Sequence, residues 1–131
     1  MKVFKFGGAS VRHAPAIRQV GRIIKSFPMG KILVVVSAMG KTTNALERVV
    51  TAIETGKEVK PELDSIRAYH HKVAEELFPP GHSVFQKVKE VFEPLLQILP
   101  SAITKDQFYD QVVSTGEIRD DSLGALEGET I

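Results

Sequence analysis

The sequence contains no cysteine in its 131 residues. Disulfide bonds and thiolate metal sites are therefore excluded. No apolar run approaches the ~20 residues that a membrane-spanning helix needs. The net charge is +1, so overall charge gives no argument for binding nucleic acid or a membrane surface. We expect neither a nucleic-acid partner nor association with a membrane.

The sequence also lacks internal repeats and low-complexity segments. Its first five residues begin a strand-like segment directly, without the apolar region or cleavage site of a secretory signal. Apolar residues make up 43% and charged residues 25%, as in ordinary globular proteins. These features predict a cytoplasmic protein with one compact domain of ordinary size.

Apolar residues follow strand-like runs and helical spacing in turn. Residues 3–6 form a short strand-like segment before Gly7, and residues 31–36 form a continuous run rich in β-branched side chains. Such a run predicts a strand buried on both faces of a parallel sheet. Between them, residues 14–27 have helical spacing, with Pro15 in the first turn. Strand, helix and strand in this order predict a right-handed crossover.

The rest of the chain has helical patterns. The inner face of the second helix is predicted to carry Leu46, Val49, Val50 and Ile53. Two further helices, separated at residues 79–81, are predicted to bury Leu63, Ile66, His70, Val73 and Leu77 in the first and Val84, Phe85, Val88, Phe92, Leu95 and Leu99 in the second. Pro94 predicts a kink, and a last helix is expected from Thr104 past Val113.

Histidines offer no metal site by their spacing. We expect His70 to pack on its helix face and the other three to be exposed.

Strands are scarce in this pattern. Two strands accompany about five helices, whereas a sheet usually has about five or six strands. A two-stranded parallel sheet has open edges and little stability of its own. The sequence therefore predicts an incomplete parallel sheet with helices, belonging to a larger α/β domain whose other strands come from elsewhere.

The first candidate site is the segment Lys-Phe-Gly-Gly-Ala-Ser at residues 5–10, where a strand leads into a helix. Paired glycines let the backbone approach a phosphate and turn its N–H groups towards it. A helix N-terminus adds partial positive charge, and Lys5 would add a full one. The alternative is an ordinary strand-to-helix turn with a surface lysine.

Three other positions are candidates. Ser37 ends the second strand, on the side where α/β sheets bind ligands. Thr43 lies near the start of the next helix, although Thr42 or Thr43 could simply cap that helix. Glu117 follows a glycine and could equally be a solvated glutamate on a helix.

Two common nucleotide motifs are absent. The segment Gly-Lys-Thr at residues 40–42 is similar to the end of a P-loop, but that motif requires a glycine where this sequence has Val35. No Gly-x-Gly-x-x-Gly pattern occurs, so a Rossmann dinucleotide site is unsupported.

Taken together, these segments resemble the aspartate kinases of the amino acid kinase family. In that family the first strand ends in Lys-Phe-Gly-Gly-Thr-Ser, as at residues 5–10, and the second leads into Val-Val-Ser-Ala-Met, as at residues 35–39. A Thr-Asn pair follows, as at residues 43–44, and a helical hairpin then leads to Val-x-Ser-x-Gly-Glu, as at residues 112–117. Ala9 departs from the family's threonine, and residues 118–131 depart from its usual continuation.

The resemblance implies a fold and an activity. The fold would be the three-layer α/β sandwich of the amino acid kinases, with residues 1–117 as the N-terminal part of a catalytic domain and residues 118–131 as a divergent or truncated tail. The activity would be transfer of the ATP γ-phosphoryl group to the side-chain carboxylate of L-aspartate, the first step towards lysine, threonine and methionine. Mg²⁺ would accompany ATP, and the enzyme would be a homo-oligomer. The chain alone, without the adenine-binding half, is expected to have no turnover.

The resemblance also implies residue roles. The implied site residues are Lys5, Gly7, Gly8 and Ser10 for the phosphates, and Ser37, Thr43 and Glu117 for aspartate. Lys5 would be the catalytic residue that neutralises the transferring phosphoryl oxygens, and Glu117 would pair with the α-ammonium group of aspartate. No metal ligand is assigned.

Two other interpretations stay open. One is a family member that phosphorylates another acidic group, such as glutamate or carbamate, although the Ser-Ala-Met, Thr-Asn and Gly-Glu set argues against it. The other is a non-enzymatic remnant that binds a partner, or itself, through an open sheet edge.

Overall fold

The computed structural model describes residues 1–28 and 30–98. Its elements, in order, are strand β1 (Lys2–Phe6), a 3-10 turn (Gly8–Val11), helix α1 (Ala14–Lys25), strand β2 (Ile32–Val36) and helices α2 (Thr42–Glu54), α3 (Lys60–Leu77) and α4 (Ser83–Ile98). The helix predicted from Thr104, the kinase-like segment at residues 112–117 and the tail at residues 118–131 lie outside the described residues.

The two strands pair in parallel, as predicted. Lys5 lies opposite Val35, and Phe6 lies opposite Val36. Because parallel strands point the same way, the loops that follow Phe6 and Val36 leave the same edge of the sheet. The last hydrogen bond of the ladder runs from the Ser37 N–H to the Phe6 carbonyl oxygen, at 2.9 Å. This edge carries the candidate site.

The sheet is covered on one face only within the described residues. Phe4 and Phe6 pack towards the core, and the Phe4 ring lies 4.7 Å from that of Phe27. Side chains alternate along a strand, so Val3, Leu33 and Val35 lie on the opposite face, and they are 60%, 48% and 42% exposed. The prediction that β2 is buried on both faces is therefore wrong for this part of the chain, because no described element covers the second face.

Helix α1 begins as its sequence predicts, with Pro15 in the first turn. Its N-cap is His13, whose Nδ1 accepts the Ala16 N–H at 3.1 Å. Arg12 Nε also lies 3.3 Å from His13 Nε2. A neutral imidazole has one acceptor nitrogen, so the cap and the arginine contact cannot both be hydrogen bonds at once. The helix ends at Lys25, so Phe27 packs on Phe4 from beyond the helix.

Helices α2, α3 and α4 form the core largely as predicted. The buried predicted side chains are Leu46, Val49, Val50, Leu63, Ile66, His70, Val73, Val84, Val88, Phe92 and Leu95. Leu77 and Phe85 are half-buried, and α4 runs through Pro94. Ile53 is 37% exposed, so the prediction that it is buried is wrong, although Ala52 beside it in the last turn of α2 is 8% exposed.

Three of the four histidines lie as predicted, whereas the prediction that His82 is exposed is wrong. His70 is fully buried, and its Nδ1 lies 2.9 Å from the Ile66 carbonyl oxygen. His13 and His71 are exposed, whereas His82 is half-buried, because its ring packs against Phe78 at 4.5 Å. No helix among residues 1–28 and 30–98 has the length and apolar character that crossing a membrane requires.

Candidate functional site

Two loops interlock at the carboxyl edge of the sheet. We call residues 7–12 the glycine loop and residues 37–41 the second loop. A Cβ on Gly8 would lie 2.7 Å from the Gly40 carbonyl oxygen and 2.8 Å from that of Ala38. The Gly40 N–H also donates to the Gly8 carbonyl oxygen at 3.0 Å. Glycine is therefore needed at position 8 because two backbones meet there.

Gly7 differs from its neighbour. It is exposed, and a Cβ added to it would meet nothing within 4 Å. Its φ of −76° and ψ of 170° suit any residue, so neither packing nor strain in the described residues requires a glycine here. A glycine at an open position of this kind leaves room for a ligand to approach the backbone.

The amides of Gly7 and Gly8 remain available to such a ligand. The sheet ladder ends at the Ser37 N–H, and within the described part of the chain these two amides donate to no backbone carbonyl. The Ser10 N–H differs, because it donates to the Gly7 carbonyl oxygen at 2.9 Å and so closes the 3-10 turn. Only the exposed hydroxyl of Ser10 is left for a ligand.

Lys5 precedes the last residue of β1 and is exposed. It has no ion pair or hydrogen bond with any described residue. Residues 1–46 contain eight Lys and Arg side chains and no Asp or Glu, so its chain neighbours are strongly cationic. The overall charge of +1 does not reveal this uneven distribution, which becomes visible when charged residues are counted separately in each segment of the sequence. Such a region favours an anionic ligand.

The second loop is anchored in the core. Met39 is 2% exposed, and its carbonyl oxygen accepts the Thr42 N–H at 3.0 Å and the Thr42 hydroxyl at 2.6 Å. Thr42 is itself 2% exposed, so it is a structural residue. Ser37 is half-buried at the start of the loop, tied to β1 through its amide.

Thr43 is exposed in the first turn of α2. Neither threonine caps α2, which was the alternative role. The N-cap residue is Lys41, and its side chain makes no capping hydrogen bond. The Thr43 hydroxyl makes no hydrogen bond with a described residue. It stands three residues after Gly40, which contacts the glycine loop.

The structure thus brings most of the predicted site to one edge of the sheet. The predicted residues found there are Lys5, Gly7, Gly8, Ser10, Ser37 and Thr43. Glu117 lies outside the described residues, so its role stays a prediction.

Tyr69 lies at this site although no sequence pattern predicts it there. It comes from α3, and its hydroxyl donates to the Arg12 carbonyl oxygen at the end of the glycine loop. A contact across 57 residues leaves no local signal in the sequence.

The chemistry of these groups suits an anion. An ammonium group, two open amides and hydroxyl groups are donors that bind phosphate or carboxylate oxygens. Among the described residues no group of three or more His, Asp or Glu side chains could hold a metal ion.

The chain belongs to the amino acid kinase family, whose family model matches residues 1–124. Within that family it is similar to aspartokinases, as the sequence motifs predicted. Chloroplastic aspartokinase 2 of Arabidopsis thaliana is 44% identical over 79 residues, which are 57% of this chain and 14% of that protein. Chloroplastic aspartokinase 1 of the same plant is 32% identical over 120 residues, which are 88% of this chain and 21% of that protein.

Solved structures of aspartokinases have a similar fold. E. coli aspartokinase III in complex with aspartate and ADP superimposes with a TM-score of 0.80 at 28% identity, over 95% of this chain and 28% of that chain. The Clostridium acetobutylicum aspartate kinase has a TM-score of 0.74 at 20% identity, which supports the fold alone. The predicted α/β fold of the amino acid kinase type is confirmed. The chain spans between 14% and 29% of the length of these relatives.

Proposed function

We propose that this chain forms the phosphate-binding wall, and part of the aspartate-binding wall, of an aspartate kinase. One observation carries the proposal: exposed Lys5 lies just before two exposed or half-exposed glycines whose amides donate to no described backbone carbonyl, at the carboxyl edge of a parallel sheet. Ligands of open α/β sheets bind at this edge. The names of the similar proteins, which are aspartokinases, support the choice of substrate.

In this proposal the glycine loop holds the ATP phosphates. The amides of Gly7 and Gly8 donate to phosphate oxygens, and the Ser10 hydroxyl adds a further donor. Lys5 neutralises the charge on the transferring γ-phosphoryl group. Phosphoryl transfer needs little covalent help from the protein, so catalysis by positioning and charge neutralisation fits these groups.

The second loop and the start of α2 would hold aspartate. The Thr43 hydroxyl binds a carboxylate oxygen of the substrate, Ser37 shapes the pocket, and Glu117 pairs with the α-ammonium group. An oxygen of the substrate's side-chain carboxylate then attacks the γ-phosphorus. The bond from that phosphorus to the bridging oxygen of ADP breaks, giving aspartyl phosphate and ADP.

The proposed site would take Mg²⁺ together with ATP. Magnesium prefers carboxylate and phosphate oxygens, and the described residues of the site include no carboxylate. These residues would hold the ATP phosphates and offer no carboxylate ligand of their own to the metal.

A graft tests the proposal. We would place this chain in E. coli aspartokinase III instead of the segment that it matches, and trap aspartyl phosphate with hydroxylamine. We expect the graft to form aspartyl hydroxamate from L-aspartate and no glutamyl hydroxamate from L-glutamate. Lys5→Ala should lower kcat by about 100-fold or more, with a much smaller change in the KM for aspartate. The 131-residue chain assayed alone should show no turnover.

Lys2→Ala is the matched control. Lys2 lies on the same strand at the opposite end from the site, where its ammonium group lies 4.8 Å from the centre of the Phe27 ring. We expect its kcat to stay within about twofold of the parent. An unchanged kcat in the Lys5→Ala graft would overturn the role of Lys5. A folded graft that prefers glutamate would overturn the choice of substrate.

A second candidate is self-association through the sheet. The sheet has only two strands among the described residues, so each strand keeps an unpaired edge that offers backbone pairing to another chain. The exposed apolar face that carries Val3 and Leu33 would be covered in the same contact. Light scattering of the 131-residue chain tests it: a monomer at high concentration would exclude self-association.

A further inference from the structure

We propose that Tyr69 is a positioning residue that fixes the glycine loop and the second loop against each other. The inference builds on the proposed function, because it gives helix α3 a part in the phosphate site. It begins from the hydrogen bond that the Tyr69 hydroxyl donates to the Arg12 carbonyl oxygen. Arg12 is the residue that ends the 3-10 turn, so this bond holds the far end of the glycine loop.

The same hydroxyl lies against the second loop. A Cβ on Gly40 would be 2.7 Å from Tyr69 Oη and 3.5 Å from the Arg12 Cβ. Gly40 also has a φ of +54°, so the space and the backbone conformation both require glycine there. One phenol oxygen therefore lies where the two loops meet.

Helix α3 is held firmly enough to act as a support. Ile66, His70 and Val73 on this helix are 3%, 0% and 4% exposed, so its inner face is fixed in the core. The Arg18 side chain of α1 also donates to the Glu76 carbonyl oxygen near the C-terminal end of α3. Two hydrogen bonds thus join α3 to α1 and the loop before it. The bond from Arg18 lies away from the site, and the bond from Tyr69 reaches it.

The physical consequence concerns the open amides. Gly7 and Gly8 can bind phosphate oxygens well only if their N–H groups are held in place before the ligand arrives. Tyr69 touches no proposed substrate position and acts through Arg12 and Gly40. Removing its hydroxyl should loosen the junction of the loops while leaving the packing of the ring in place.

Tyr69→Phe in the 131-residue chain is the test, read by amide hydrogen exchange. The reporters are the Gly40 N–H, which donates to Gly8, and the Ser10 N–H, which donates to Gly7. We expect both to exchange about five to ten times faster, because one hydrogen bond is lost at the junction. The Phe78 N–H, which donates to the Ala74 carbonyl oxygen at the end of α3, should change less than about twofold.

Ser26→Ala is the matched control. It also removes one bond from a hydroxyl to a backbone carbonyl, that of Ile23 at 2.7 Å, but at the far end of α1. It should leave exchange at Gly40 and Ser10 unchanged. Equal exchange at these amides in Tyr69→Phe and the parent would overturn the proposal, and so would faster exchange spread evenly over the chain.

Pyrophosphate then separates this inference from the proposed function. Titrated into the parent, it should shift the amide resonances of Gly7 and Gly8, and Tyr69→Phe should raise its Kd by about fivefold to tenfold. A parent that shows no shift would count against the phosphate-binding function, while the exchange result would still decide the role of Tyr69. An unchanged Kd in Tyr69→Phe beside a binding parent would overturn the positioning role.

Discussion

Gly7 and Gly8 are adjacent but should respond in opposite ways to the same substitution. In Gly8→Ala the new methyl group would lie 2.7 Å and 2.8 Å from two backbone oxygens, closer than real Cβ contacts allow. Neither oxygen belongs to a side chain that could rotate away, so the loops themselves must separate. In Gly7→Ala the new methyl group meets nothing within 4 Å, and the backbone there suits alanine.

The magnitudes follow from these contacts. Forcing an extra methyl group into a packed site costs about 1–3 kcal/mol. Separating the loops also weakens the hydrogen bond from the Gly40 N–H to the Gly8 carbonyl oxygen, which is worth about 0.5–1.5 kcal/mol. We therefore expect Gly8→Ala to lower the free energy of unfolding by about 2–4 kcal/mol. Gly7→Ala should raise it by up to about 1 kcal/mol, because alanine restricts the unfolded chain.

Urea unfolding followed by circular dichroism measures both variants. The slope of the free energy against urea should match the parent, so that a shift in midpoint reports stability alone. Equal midpoints for the two variants would refute the interlocking of the loops. Gly7→Ala offers a second result, since its methyl group would occupy the space proposed for phosphate. It should be at least as stable as the parent and yet bind pyrophosphate about tenfold more weakly.

Two other pairs of substitutions separate structural from functional side chains. Thr42→Val should cost about 1 kcal/mol of unfolding free energy, because it removes the hydrogen bond to the Met39 carbonyl oxygen. Thr43→Val should leave stability unchanged, and in the graft it should raise the KM for aspartate about tenfold. A loss of stability in Thr43→Val, or a raised KM in Thr42→Val with stability unchanged, would contradict this division. Val35→Thr, on the exposed face, should change stability by less than about 0.5 kcal/mol, and Val49→Thr, fully buried, should cost about 1–3 kcal/mol. Equal losses in urea unfolding would show that the sheet face is covered.

Local periodicity was sufficient to predict the helices found among the described residues and most of their buried positions. Val49 and Ile66 could be placed in the core because apolar residues spaced three and four apart lie on one face of a helix, and that face packs inward. The meeting of Lys5 and Ser37 at one edge followed from the parallel pairing of two strands, which short connections make predictable.

Other features depend on what packs against a residue, and sequence patterns do not carry that information. The apolar run at residues 31–36 is typical of a doubly covered strand, yet its exposure depends on neighbours beyond the run itself. Thr42 and Thr43 have the same side chain, yet Thr42 is buried and bonds the Met39 carbonyl oxygen whereas Thr43 is exposed, and which of them is buried depends on how α2 packs. Tyr69 contacts Arg12 because two distant elements pack together, which no local pattern encodes.

The hydrogen bond between Gly40 and Gly8 also bears on how two substrates would sense each other. It joins the backbone beside the proposed phosphate site to the backbone three residues before Thr43, so a shift of one loop must either carry the other with it or break this bond. Thermodynamic linkage then requires symmetry: if nucleotide tightens aspartate binding by some factor, aspartate must tighten nucleotide binding by the same factor. In the proposed site, this backbone hydrogen bond would couple the binding of nucleotide to the binding of aspartate.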